Sequence, residues 1–158
     1  MRTWPTLISF RLFLLAGLLV TSAAVATAQR PSSFQGEWKW AIYARSRNEL
    51  PPAYREAPLR SIPNAVVYLK IRQKGNKLTG EYSASRRYLA KLEDGEFESV
   101  VKGKRTTLEL TSGFLGTLTV ELTRVGDKLH WRMIKSEGES YFPDDVYLKK
   151  IVRGKTHR

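Results

Sequence analysis

Few residues in this chain are equipped for chemistry. The imidazoles are His130 and His157, and there is no cysteine to act as a nucleophile or soft metal ligand. His157 is the penultimate residue, where chains fray. His130 has the opposite parity to Leu129 and Trp131, so in a strand it faces solvent if the tryptophan faces inward. Glu137, Glu139, Asp144 and Asp145 could offer oxygen ligands to a hard cation, but their spacing matches no calcium loop and a solvated acidic turn accounts for them better. No Gly-x-Ser-x-Gly, P-loop or His-Glu-x-x-His pattern occurs. The expectation is a protein that is not an enzyme and uses no metal or cofactor. A hydrolase built on the acidic loop is the enzymatic alternative.

Binding is better provided for. Trp38, Trp40, Tyr82, Phe97 and Trp131 all fall on apolar positions of alternating segments, and Gly80 and Ala84 leave space beside Tyr82. Trp40, Tyr82, Phe97 and Trp131 are the candidate ligand-binding residues, although the same aromatics would equally make a filled core. The second signal is charge: 27 Lys plus Arg against 15 Asp plus Glu, a net +12. Lys70, Arg72, Lys74 and Lys77 surround one turn, with Arg86, Arg87 and Lys91 at the next connection. Lys70, Arg72, Arg86 and Arg87 are the candidate basic surface. Such a surface attracts anionic partners, or simply keeps a protein soluble and blunts its strand edges.

These side chains must be held by strands, because the dominant hydrophobic period is two. Phe34, Gly36, Trp38, Trp40 and Ile42 alternate with polar residues; Val67, Leu69 and Ile71 do so within 65–73; and Leu78, Gly80, Tyr82 and Ala84 do so within 77–85. Lys74-Gly75-Asn76 joins the last two as a hairpin. Alternation resumes at Phe97, Ser99 and Val101, at Leu108 and Leu110, at Leu118, Val120 and Leu122, at Leu129, Trp131 and Met133, and at Val146, Leu148 and Lys150. Asp94-Gly95, Gly103, Ser112-Gly113, Gly116 and Gly126-Asp127 read as separators. The segment 86–94 could form one helical turn through Tyr88, Leu89 and Leu92. About eight strands with short connections predict an all-β, antiparallel, up-and-down barrel. The long connection 45–64 holds four of the seven prolines and reads as an ordered flap over one barrel mouth, or as a disordered insertion.

The first 28 residues read as an export signal. Arg2 precedes an uncharged run from Leu12 to Val20, and Ala26-Thr27-Ala28 places small side chains where a signal peptidase cuts, before Gln29. The run is shorter than the roughly 20 residues that span a bilayer, and Arg11 interrupts any longer version; an uncleaved anchor is the alternative. Residues 29–158 then form a single β-barrel domain, secreted or periplasmic, of net charge about +10. The absence of cysteine leaves packing alone to hold the fold.

Gly36-Glu37-Trp38 at the head of the first strand resembles the calycin group of lipocalins, fatty-acid-binding proteins and avidins. The resemblance implies that Trp38 plugs the barrel base beneath a basic side chain of the last strand, either Lys150 or Arg153. Leu78-Thr79-Gly80-Glu81-Tyr82 is similar to an avidin-like hairpin, which implies that Tyr82 faces a ligand. Trp40 replaces the polar side chain that the avidin pattern carries, the 45–64 insertion has no counterpart, and the lipocalin Thr-Asp-Tyr motif is missing, so biotin is not the implied ligand.

The functional expectation is a lipocalin-like binding protein holding a small apolar or amphipathic ligand in the barrel. The alternative is an envelope interaction protein whose basic exterior binds an anionic polymer, a lipid surface or a protein partner. Nucleic acid is not expected in that compartment.

Overall fold

The computed structural model describes residues 33–111, 116–138 and 140–152. The leader with its cleavage site, and Arg153, lie outside the described residues. Eight antiparallel strands follow one another: β1 (Gly36–Tyr43), β2 (Pro63–Lys74), β3 (Lys77–Arg86), β4 (Lys91–Val100), β5 (Arg105–Thr111), β6 (Thr117–Val125), β7 (Lys128–Glu137) and β8 (Asp145–Lys150). They form one sheet in the order β4-β3-β2-β1-β8-β7-β6-β5, rolled into a nearly closed barrel. The all-β, up-and-down expectation holds.

Alternation explains the interior. Trp38, Val67, Leu69, Leu78, Leu108, Val120, Leu122, Leu129, Trp131 and Leu148 are fully buried in one cluster, while their sequence neighbours face water. Burying each such side chain contributes about 1.5 to 3 kcal/mol. One end of the barrel, the base, carries the β2–β3, β4–β5 and β6–β7 turns. The other, the mouth, carries the 44–62 connection, the β3–β4 turn and the β7–β8 segment.

Two details differ from the sequence reading. Asp94-Gly95 is no separator, since β4 begins at Lys91 and pairs with β3 along its whole length. The segment before it makes no right-handed helical turn: Arg87, Tyr88 and Leu89 take φ of 53°, 57° and 70°, a tight reversal that closes a long hairpin. Continuous pairing with β3, where Asp94 faces Ser83 and Gly95 faces Tyr82, outweighs the turn propensity of Asp-Gly.

The proline-rich connection is ordered. It makes two single 3-10 turns, Arg47–Glu49 and Pro52–Tyr54, buries Leu50, and is tied to the β3–β4 turn by the Tyr88 hydroxyl, which donates to the Glu49 carbonyl at 2.8 Å. Pro63 opens β2, the strand position where a missing N–H costs least.

The chain's consecutive order breaks at β4 and β5. Apart from the Lys102–Arg105 bridge at the base, no ladder joins them. Side chains take its place. Ser99 Oγ donates to the Thr107 carbonyl at 2.5 Å, Thr106 Oγ1 donates to the Val100 carbonyl at 3.2 Å, and Tyr82 reaches across from β3 to the backbone of Thr111. The opposite seam is only partly closed: β1 and β8 pair at Trp38–Lys150 and Lys39–Lys149, and then part.

Candidate functional site

At the base, Trp38 is completely buried and its indole N–H donates to the Phe34 carbonyl at 2.8 Å. Lys150 Nζ lies 5.5 Å from the ring centroid, as one of the two expected partners, and the Arg124 guanidinium lies 4.7 Å from it. Arg124 escaped the sequence reading because it precedes the β6–β7 turn, far from Trp38 in the chain. The geometry explains Gly36: at φ +132° it is strained for any other residue, and a Cβ there would come within 2.6 Å of Lys150 Cε. Glycine lets the lysine stem lie along the strand and carry its ammonium over the indole.

The four candidate ligand-binding aromatics are divided between two surroundings. Tyr82, Phe97 and Trp131 pack into the core. The Phe97 ring fills the space where Gly80 lacks a side chain, 2.6 Å from an ideal Cβ position. Trp131 donates its indole N–H to the Pro143 carbonyl at 2.9 Å and stacks on Phe142, with centroids 5.3 Å apart and planes at 11°. Tyr82 meets the same Phe142 at 5.9 Å, with the ring planes at 55°. Phe142 thus stoppers the mouth from the β7–β8 segment. Its signal in the sequence was Tyr141-Phe142-Pro143, an apolar cluster inside an otherwise polar connection.

The Tyr82 hydroxyl donates to the Thr111 carbonyl at 2.5 Å and accepts from the Thr111 N–H at 3.1 Å, so it is committed to closing the barrel. Burial pushes its pKa up, the Thr111 hydrogen bond opposes this, and the charges of Glu93 and Asp94 add to the rise. Glu93 itself faces inward on β4 and is buried, an acid inside the barrel that alternation places but does not explain.

Trp40 alone lies elsewhere. It is half-buried on β1 just past the last β1–β8 pair, against the edge of the core together with Met133 and Val146. The parted strands leave a groove lined by Lys39, Trp40, Tyr43, Tyr147, Lys149 and Lys150. Lys39 donates to the Tyr43 hydroxyl at 3.1 Å. Tyr147 stacks on His130 at 4.6 Å, and His130 in turn contacts Asp145 at 2.8 Å. His130 is therefore held among strand neighbours on the outer face, and Glu137 of the acidic loop pairs with Lys135. Glu139 lies outside the described residues.

The basic surface is also redistributed. Lys70 and Arg72 lie 3.2 and 3.9 Å from the same carboxylate, Glu81 on the neighbouring strand, which answers one of their two charges. Arg86 donates to the Phe142 carbonyl at 3.3 Å, and Arg87 is exposed in the strained turn. A further row of lysines lies on the adjoining wall. Lys39 stands directly opposite Lys149, and Lys149 directly opposite Lys128, three ammonium groups in one row across β1, β8 and β7. None of the three takes part in an ion pair among the described residues. Strand neighbours lie about 4.8 Å apart, and like charges placed opposite each other destabilise a sheet. The row was not legible in the sequence, because it depends on the register between the first and last strands.

Comparison with known proteins gives no match to a family model, a curated protein or a solved structure.

Proposed function

We propose that this chain is an exported, non-enzymatic binding protein of calycin-like build whose ligand is an amphipathic anion seated where β1 and β8 part. One observation carries the reading: Lys39 and Lys149, opposed and without a carboxylate partner among the described residues, flank the half-buried Trp40 in a groove. An apolar body would cover Trp40, and an anionic head would relieve the lysine repulsion. The site therefore moves from the barrel interior, where Phe142, Trp131, Tyr82 and Phe97 pack together, to its wall. Export rests on the leader-like first 28 residues, and calycin-like build on the eight-stranded barrel with its Gly36-x-Trp38 plug under Lys150.

Lys128 supports a second reading, in which an anionic polymer lies across the strands along the whole lysine row. The test is titration calorimetry of the protein with laurate, with methyl laurate, and with a polyuronate. Laurate binding that is lost on removing the charge as the methyl ester, and reduced at least tenfold in Lys149→Ala and in Trp40→Ala, supports the first reading. Binding of the polyuronate alone, falling steeply with salt, replaces it with the second. Equal binding of the ester, unaffected by Lys149→Ala, overturns both.

A further inference from the structure

We infer that the mouth end of the barrel is a docking surface for an anionic lipid bilayer. Four of the large exposed aliphatic side chains gather at this end: Ile42 near the end of β1, Leu89 in the β3–β4 turn, Leu92 at the start of β4 and Ile134 near the end of β7, each between 48% and 58% exposed. They come from separate elements, so no single segment's pattern produces them. Ile134 stands out because the β6–β7 register slips between Thr119 and Val120, leaving it as the extra residue of a bulge.

Leu89 is held outward at a cost in backbone strain. Arg87, Tyr88 and Leu89 are three successive bulky residues with positive φ, a conformation that persists only where its surroundings fix it. Here the fixing contacts are the Tyr88 hydroxyl on the Glu49 carbonyl, the Tyr88 N–H on the Asn64 carbonyl and the Ala90 N–H on the Arg87 carbonyl. Tyr88 is drawn inward and Leu89 is turned out.

The charge around this turn identifies the occupant. Segments 45–62 and 86–92, joined by the Tyr88 contact, carry seven basic residues against two acidic ones, Glu49 and Glu56. Scattered aliphatic tips among arginines suit a surface that accepts apolar wedges at many points and presents phosphates between them. A bilayer with anionic headgroups offers both. The lysine row lies toward the base, two strands from this turn, so the two surfaces are separable by mutation.

The test is co-sedimentation of the protein, in the form its own cells process, with vesicles of phosphatidylglycerol and phosphatidylcholine, and with phosphatidylcholine alone. The expected result is binding to the anionic vesicles only. It should fall at least fivefold in Leu89→Ser/Leu92→Ser, fall less in Arg87→Gln, and be unchanged in Lys104→Ala, an exposed lysine of the β4–β5 turn at the base. In Leu89→Trp, brominated acyl chains should quench the new indole. Near-ultraviolet circular dichroism of each variant confirms that the barrel is intact. Equal binding to neutral vesicles, full binding by the leucine double variant, loss in Lys104→Ala, or an unquenched indole in Leu89→Trp each overturns the inference. So does a protein partner that captures the same rim while vesicles do not.

Discussion

The hydroxyl of Tyr82 lies 2.5 Å from the point a Cβ would occupy at Gly95. Gly95 is therefore the gap in β4 through which Tyr82 of β3 reaches the backbone of β5, and the two residues together replace a stretch of missing ladder. Gly95→Ala is predicted to push the tyrosine out of the seam, breaking both Thr111 hydrogen bonds. The expected loss is about 2 to 4 kcal/mol, read as a lower urea midpoint. Tyr82→Phe keeps the ring and removes only the hydroxyl, so it should cost about 1 to 2 kcal/mol.

The same latch makes a pH prediction. Tyr82 is raised above its ordinary value of 10.0 in the folded chain, chiefly by burial, so the folded state holds this proton more tightly than the unfolded state. Its contribution is fully present below pH 10 and is lost as pH rises through the folded value. The stability gap between the natural protein and Tyr82→Phe should be constant from pH 7 to 9 and shrink above pH 10. Urea unfolding of both proteins at pH 8 and pH 11 measures this, and a gap that widens at pH 11 would contradict the burial of the hydroxyl.

At the base, Gly36, Lys150 and Trp38 act as one unit. Gly36→Ala should cost about 1 to 3 kcal/mol through its φ of +132° and the 2.6 Å approach of Lys150 Cε. Part of that cost should vanish in Lys150→Ala, where the stem is gone and only the backbone strain remains. Lys150→Ala and Arg124→Ala should each lose about 0.5 to 1 kcal/mol of attraction to the indole. A double-mutant cycle on Gly36 and Lys150 reads the coupling directly, and strict additivity would mean that the lysine does not run past the glycine.

The strained turn gives a prediction of opposite sign. A non-glycine residue in the left-handed region costs about 1 kcal/mol or more, and Arg87, with φ 53°, is exposed and its side chain makes no ion pair among the described residues. Arg87→Gly should raise the melting temperature by about 3 to 5 °C. A fall in melting temperature would place the guanidinium in a stabilising contact.

Much of the barrel was legible because alternation is a local property. Val67, Leu69 and Ile71 announce an inner face with no knowledge of what they pack against, and the Gly75-Asn76 turn sets the β2–β3 register without outside help. What was not legible depends on contacts between distant segments. Gly95 reads as a turn residue until Tyr82 is seen crossing it, and Tyr82 reads as a ligand contact until Thr111 is seen at its hydroxyl. Trp131 similarly faces inward as its parity requires, but only the fold shows Phe142 stacked on it. The basic clusters near Lys70 and Arg72 stood out because they are close in the chain, which is also why β3 could place Glu81 beside both.

The lysine row argues that part of the sheet is held at less than its attainable stability. Lys149 faces Lys39 on one side and Lys128 on the other, so a carboxylate in its place would turn two repulsions into two attractions. Lys149→Glu should therefore stabilise the folded protein by about 0.5 to 1 kcal/mol, the range of exposed cross-strand pairs. The gain should be largest at low ionic strength and fade as salt screens it. If the row is a binding surface, the same substitution lowers anion affinity at least tenfold, so stability and binding move in opposite directions. Urea midpoints at low and high salt, set beside calorimetric titration of the same two proteins, test both halves. A variant that is more stable yet binds anions unchanged would leave the repulsion real and remove its functional explanation.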